Sequence, residues 1–264
     1  MEKFNSNKHS DYAKQLPFSY FSSNIYLDFV AHTFERNSEH LIVQQDMLFP
    51  NDFPSIFLPI NEKNHEKCSV TFSTEENREI IKKENIPIIV ENPTGTEFFY
   101  KTEDFINPSG GLKTKINRFI KSYSFTQKNS YDKEKILDFY SFWKNQRKHE
   151  SFTFEESEEF FMFCLDNLEK YNIKQVYVEI DEKLAGLAWG VNFRDNWVGL
   201  HLKVDYQYRG LSRFLYSERA KLFKDCKIFT LGTGAHDPGI ENYKEELRPF
   251  KKINYSYILT SSKI

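Results

Sequence analysis

Tyr206-Gln207-Tyr208-Arg209-Gly210-Leu211-Ser212 joins an apolar, strand-like run at 197–204 to a helix-like run at 211–224. A helix that begins where a strand ends presents its unpaired N–H groups and the positive end of its dipole beside the strand terminus. Phosphate groups bind at such places. Gly210 lets an anion approach the backbone, Arg209 adds a charge-assisted contact, and Leu211 and Ser212 supply first-turn N–H groups. The same seven residues also describe an ordinary glycine turn between strand and helix, so the surrounding elements must decide.

Upstream, strand-like runs at 175–180, 184–193 and 197–204 are separated by Asp181-Glu182-Lys183 and Arg194-Asp195-Asn196, which predicts an antiparallel meander. Downstream come the helix 211–224, a strand at 227–232, a helix at about 239–247 and a last strand at 253–259. Helices at 132–144 and from Thr153, paired with Glu156 as a capping box, to 170 precede the meander. Further back, Pro108-Ser109-Gly110-Gly111 breaks the chain before a helix whose Leu112, Ile116, Phe119, Ile120 and Tyr123 share one face. The first hundred residues mix a helix at 24–34, short strands at 40–44, 55–60 and 68–72, a helix ending near 84, and strands at 88–90 and 98–100. This order predicts an α+β fold with helices packed on mixed, mostly antiparallel sheets.

With 264 residues the chain can bury a core without disulfides, and 26 Phe and 15 Tyr make that core largely aromatic. The 36 basic and 38 acidic residues nearly cancel, so a polyanionic partner has to meet a local basic patch. Cys68, Cys164 and Cys226 lie outside any CxxC, CxxH or HExxH pattern, which argues against a disulfide framework and a metal site and fits a reducing cytoplasm. The polar start of the chain reads as no signal peptide, and no apolar run reaches the ~20 residues a membrane span needs.

Four groups of residues could carry chemistry. Glu218 falls between Leu211, Phe214, Leu215 and Leu222 in the apolar stripe of its helix; it either faces a substrate cleft as a general base or forms a structural ion pair with a nearby Lys or Arg. Lys244 and Arg248 are spaced i, i+4 near Gly232-Thr233-Gly234, where Lys244 could neutralise a phosphate or an oxyanion, with His236 or Asp237 binding an acceptor. Lys113, Lys115, Arg118 and Lys121 occupy the polar face of their helix, within a stretch from 105 to 131 that has no acidic residue, and could contact nucleic-acid phosphates. His201 points from the meander to one sheet face as a core group or a site residue.

Meander, then Q-x-x-G-x-small at a helix start, then strand and helix, resembles the acyl-donor site of the GNAT acyltransferases, with Gln207 and Gly210 matching and Ser212 where Gly or Ala is usual. The stretch 206–218, together with Gly239-x4-Lys244-x4-Pro249, is similar to the phosphatidylglycerol lysyltransferase C-terminal-like family of tandem GNAT-like folds. That resemblance implies two GNAT-like halves, 1–128 and 129–264, with the donor site in the second. It implies transfer of an aminoacyl group from aminoacyl-tRNA to an amine of a soluble acceptor, or alternatively from acyl-CoA, with no tightly bound cofactor and no metal. It also implies donor binding by Gln207, Arg209, Gly210, Leu211, Ser212 and Lys244, a catalytic Glu218, and Tyr243 as proton donor to the leaving group. Glu241 stands where the family commonly has Arg, and Thr233-Gly234 replace its acidic pair, so a non-catalytic binding module is the third expectation.

Overall fold

The computed structural model describes residues 5, 8, 18–30, 33–37, 40–44, 55–57, 69–83, 85, 87–147, 154–234 and 237–260. Contacts divide the chain into two units, Met1–Phe98 with Gly232–Glu246 and Lys251–Ile264, and Phe99–Leu231 with Leu247–Phe250.

In the first unit, helix α1 (Asn24–Val30) is followed by strands β1 (Thr33–Asn37), β2 (His40–Gln44), β3 (Ser55–Phe57) and β4 (Ser69–Ser73), helix α2 (Glu75–Lys83) and most of strand β5 (Ile88–Lys101). Within this unit the strand order is β1-β2-β3-β4-β11-β5, with β11 spanning Lys251–Thr260. The helix expected over 24–34 stops at Val30 and the chain enters β1, where Thr33 and Phe34 suit an extended backbone. The runs at 88–90 and 98–100, read as two strands, form one continuous strand. Gly95 makes this possible at φ +119°, with the Thr233 Cβ lying 3.1 Å from where a side chain would begin.

The second unit contains α3 (Glu103–Ile106), α4 (Gly110–Ser122), β6 (Thr126–Lys128), α5 (Lys133–Gln146), α6 (Phe154–Asp166), the meander β7 (Lys174–Ile180), β8 (Lys183–Phe193) and β9 (Asn196–Val204), α7 (Leu211–Lys221) and the start of β10 (Ile228–Thr233). The strand order here is β10-β9-β8-β7-β6. Asp132 caps α5 by accepting from the Lys135 N–H at 3.1 Å, whereas the capping box proposed at Thr153 lies outside the described residues. The Asp181-Glu182 turn holds both residues at positive φ, 50° and 62°, the geometry whose twist matches a two-residue hairpin.

One face of the meander packs on α4 and α7 through Ile116, Phe119, Val176, Val178, Leu211, Phe214 and Leu215. Near the same face Trp197 stacks between Phe223 and Phe229, with ring centroids 4.5 and 4.2 Å away. The other face carries Trp189, stacked on Phe161 at 4.8 Å, and Phe161 stacks on Tyr140 at 4.1 Å. His201 is buried here among Phe160, Phe161 and Trp189, so it is a core group, and burial together with the Lys203 charge holds its imidazole pKa well below the usual histidine range.

The meander is not regular where α7 crosses it. The β8/β9 register slips between Trp189↔His201 and Gly190↔Gly199, so Leu200 is bulged out. Parallel pairing of β9 with β10 comprises Trp197↔Phe229 and Val198↔Thr230, which leaves Gly199–Val204 carried by β8 alone. The Arg219 side chain from α7 fills the gap at the bulge. Its Nη1 donates to the carbonyls of Trp189 at 2.9 Å and His201 at 3.1 Å, and its guanidinium lies over the Trp197 and Tyr216 rings. A Cβ at Gly199 would come within 2.7 Å of Leu231 Cδ2 and 2.8 Å of Arg219 Nη2. Gly199→Ala is therefore expected to destabilise the protein by about 1–3 kcal/mol. Gly111→Ala, with no atom within 4 Å of the added carbon, should stabilise it by about 0.4–1 kcal/mol, both read from urea unfolding midpoints.

Candidate functional site

The segment from β9 into α7 is organised by one carboxylate. Asp205 is buried at the end of β9, and its N–H donates to the Ala185 carbonyl at 2.8 Å. Asp205 Oδ1 accepts from Gln146 Nε2 at 2.8 Å and from the Gln207 N–H at 3.1 Å, while Oδ2 accepts from Gln207 Nε2 at 2.5 Å. The backbone then turns through Tyr208 N–H to Asp205 O and Leu211 N–H to Tyr208 O, both at 3.2 Å, and α7 starts. The amide nitrogen of Gln207 is thus turned onto Asp205, where it shapes the turn.

Gly210 sits at φ +94° as the residue that caps α7, a conformation that excludes most side chains. The position a Cβ would take is occupied by the main-chain carbonyl of Lys115 on α4, with Phe119 Cβ 3.1 Å away. The missing side chain at Gly210 admits α4. The helix start is still reachable, because Gly210 and Ser212 are half-buried and Arg209 is exposed, whereas Leu211 points into the core.

α4 therefore has two faces with different work. Ile116 and Phe119 dock it on α7, where Phe119 and Phe214 rings lie 5.0 Å apart and Tyr123 meets Tyr208 at 5.2 Å. Lys113, Lys115, Arg118 and Lys121 are exposed on its outer side. The fold places this basic row on the helix that covers the start of α7.

Glu218 lies on α7 as a half-buried residue and pairs with Lys221 one turn on, 2.6 Å from its Nζ. That pair is the ion pair of one of the two readings open for it, and Arg219, one residue further along the helix, takes an inward position.

The remaining predicted residues belong to the other unit. Helix α8 (Pro238–Glu245) starts at Asp237, whose Oδ1 accepts from the N–H groups of Gly239 at 2.7 Å and Ile240 at 3.1 Å, so that carboxylate caps the helix. His236 lies outside the described residues. Tyr243 is half-buried on α8. Lys244 is buried, and its Nζ donates to the carbonyls of Gly232 at 3.1 Å and Thr233 at 2.5 Å.

In the same unit stands a carboxylate that the sequence pattern did not single out. Glu97 is 0% exposed on β5 and accepts from Ser19 Oγ, Tyr255 OH and the Tyr20 N–H, each at 2.7 Å. Burial, then the Glu97 charge, push the Tyr255 phenol far up, so it stays a donor. Burial pulls Lys244 down to about 7, with the charges of Glu97 and Glu241 opposing the shift. In the sequence Glu97 is only a lone acid beside Phe98-Phe99-Tyr100, a run too short to show which face it joins.

Because Lys244 loses its proton more readily folded than unfolded, the unfolded chain binds more protons between about pH 7 and 10, and the lysine's contribution to stability rises across that window. Lys244→Met should cost more stability at pH 10 than at pH 6, measured by urea unfolding at both. A lysine held mainly by an ion pair would show the opposite trend.

Among the described residues no group of three His, Cys, Asp or Glu side chains could hold a metal ion, and no helix is long and apolar enough to cross a membrane. No protein-family model matches the sequence, and no curated protein does. Solved structures do. A conserved protein of unknown function from Bacteroides thetaiotaomicron is similar at TM-score 0.71 and 12% identity, over 86% of this chain and 85% of that one. L-PGS from Bacillus licheniformis is similar at TM-score 0.63 and 12% identity, over 97% and 92%. A tandem GNAT protein from the clavulanic acid biosynthesis pathway is similar at TM-score 0.52 and 8% identity, over 100% and 98%. The meander, the helix entered through Gly210 and the strands that follow make this chain an α+β protein of the tandem GNAT-like fold.

Proposed function

We propose that the protein is an acyltransferase that moves an aminoacyl group from aminoacyl-tRNA to an amine of a soluble acceptor. One observation carries the choice of donor: α4, whose exposed side bears Lys113, Lys115, Arg118 and Lys121, packs its own backbone on Gly210 at the start of α7. A row of cations next to a helix N-terminus suits a donor that brings several phosphates. The halves at 1–128 and 129–264 belong to this proposal, with the donor held by the second.

The chemistry needs a neutral amine, an activated carbonyl and a stabiliser for the tetrahedral oxyanion. Beyond Val198 the edge of β9 that faces β10 carries main-chain groups outside the strand pairing, and an N–H there polarises the donor carbonyl. The amine nitrogen attacks the carbonyl carbon, the ester C–O bond breaks, and the proton that the nitrogen gives up goes to the departing ribose oxygen. No covalent enzyme intermediate is required. Arg209 and the first-turn N–H group of Ser212 hold the terminal phosphate. In this reading Asp205 and Gln207 shape the turn, and Lys244 ties down the turn at Gly232–Thr233.

Acyl-CoA as donor is the second reading, favoured by the same helix start, since one pyrophosphate would fill it. Incubation with pooled radiolabelled aminoacyl-tRNAs and cell extract, with and without ribonuclease, separates them. Ribonuclease-sensitive transfer of label to a small acceptor is expected, and transfer supported by acyl-CoA alone would overturn the donor assignment. Replacing Lys113, Arg118 and Lys121 together by Ala should lower the tRNA-dependent rate roughly tenfold or more at physiological salt, and weaken its salt dependence. Consumption of neither donor would leave a binding module.

A further inference from the structure

Arg248, which precedes Pro249, belongs to the same unit as α4 and lies at φ +59°. That left-handed backbone suits glycine, and a residue before proline favours the extended region, so an arginine is held here at a cost. The side chain is exposed, and its Nη1 lies 3.9 Å from where a Cβ on Gly110 would stand, at the first turn of α4. No acidic residue stands in that turn, and the positive end of the helix dipole repels a guanidinium. Arg248 makes no hydrogen bond and no ion pair among the described residues.

Three cations on α4 are in the same condition. Lys113, Arg118 and Lys121 are exposed, and none has a hydrogen-bond or ion-pair partner among the described residues. Gly110, Lys113, Asn117 and Lys121 follow one another at spacings of three and four, so they form one line along the helix, and Arg248 extends it past Gly110. From Gly110 to Lys121 the line runs about 16 Å. Thr114 and Asn117, both exposed, stand between the cations. Short polar side chains there suit phosphates and hydroxyls, whereas a membrane-binding face sets large apolar residues among its cations. A glycine at 248 would fit the backbone better and remove the repulsion, so an arginine is expected there where it serves a polyanion.

We propose that Arg248 binds a backbone phosphate of the tRNA stem, at one end of a track that Lys113, Arg118 and Lys121 continue. The assignment rests on the aminoacyl-tRNA reading of the donor site, and adds to it a residue far from α4 in the chain and the line along which the stem lies. The guanidinium fork matches two oxygens of one phosphate. A stem presents a phosphate at every nucleotide and so can engage the whole line, which a single pyrophosphate is too short to do.

The test measures binding of pooled deacylated tRNA to the whole chain over a series of sodium chloride concentrations, with melting temperature read alongside. Arg248→Gly is expected to melt at or above the wild-type temperature and to bind tRNA roughly threefold or more weakly at physiological salt. Its slope of log affinity against log salt should be shallower by about one. Arg248→Lys should keep the wild-type slope, and Arg248→Glu, which retains a long side chain, should bind more weakly than Arg248→Gly. Wild-type affinity and slope in both Arg248→Gly and Arg248→Glu overturn the role of Arg248. If replacing Lys113, Arg118 and Lys121 together by Ala still weakens binding in that case, the donor reading stands without Arg248. A wild-type protein that binds no tRNA overturns both, and salt-sensitive binding to phosphatidylglycerol vesicles would then give the row to a lipid surface.

Discussion

The hydrogen bonds from the Arg219 guanidinium to the Trp189 and His201 carbonyls hold the bulged meander of the second unit in its observed form. A β-bulge frees main-chain groups from the ladder, and a buried carbonyl without a donor is expensive. Arg219 repays that cost from α7, a helix that lies across the bulge because Leu211, Phe214 and Leu215 bury against the same strands. The guanidinium tolerates burial because Trp197 and Tyr216 flank it and Gly199 leaves it room. With the bulge clamped, β9 pairs with β10 only as far as Val198, and Gly199–Val204 lie beyond that pairing.

The junction at Gly210 follows from the same packing. α4 presses its backbone on the glycine and leaves Lys113, Lys115, Arg118 and Lys121 exposed on its other side. Asp205 sets the approach to α7 through three hydrogen bonds. In the first unit Glu97 plays a comparable part, drawing Ser19, Tyr20 and Tyr255 together. Each carboxylate is saturated by donors, which is what lets it stay buried.

The meander, its two turns and the helix after it could be read from alternation and turn residues, and their ends in the structure fall within a few residues of the expected ones. The strand over Ile88–Lys101 was harder, since Asn92-Pro93 interrupts it as a pattern while Gly95 allows it as a conformation. Among the candidate residues, Glu218 drew attention by its place on an apolar stripe, yet Arg219 occupies the interior position and Glu218 turns to Lys221. Neighbours on a helix differ by about 100° in direction, so a small error in the assumed face exchanges their roles.

Local pattern alone settled the order of elements from the meander onward, the amphipathic character of the helix with Lys113 and Arg118, and the strand-to-helix turn at Gly210. Those features depend on spacing within one element and on the backbone freedom of single residues. Tertiary packing alone decided that Gly210 makes room for α4, that Arg219 enters the bulge, and that Lys203 and Glu97 are buried. These depend on which surfaces meet across residues far apart in the chain, such as Ser19 with Glu97 and Tyr255, or Arg147 with Lys203, and no local spacing encodes such meetings.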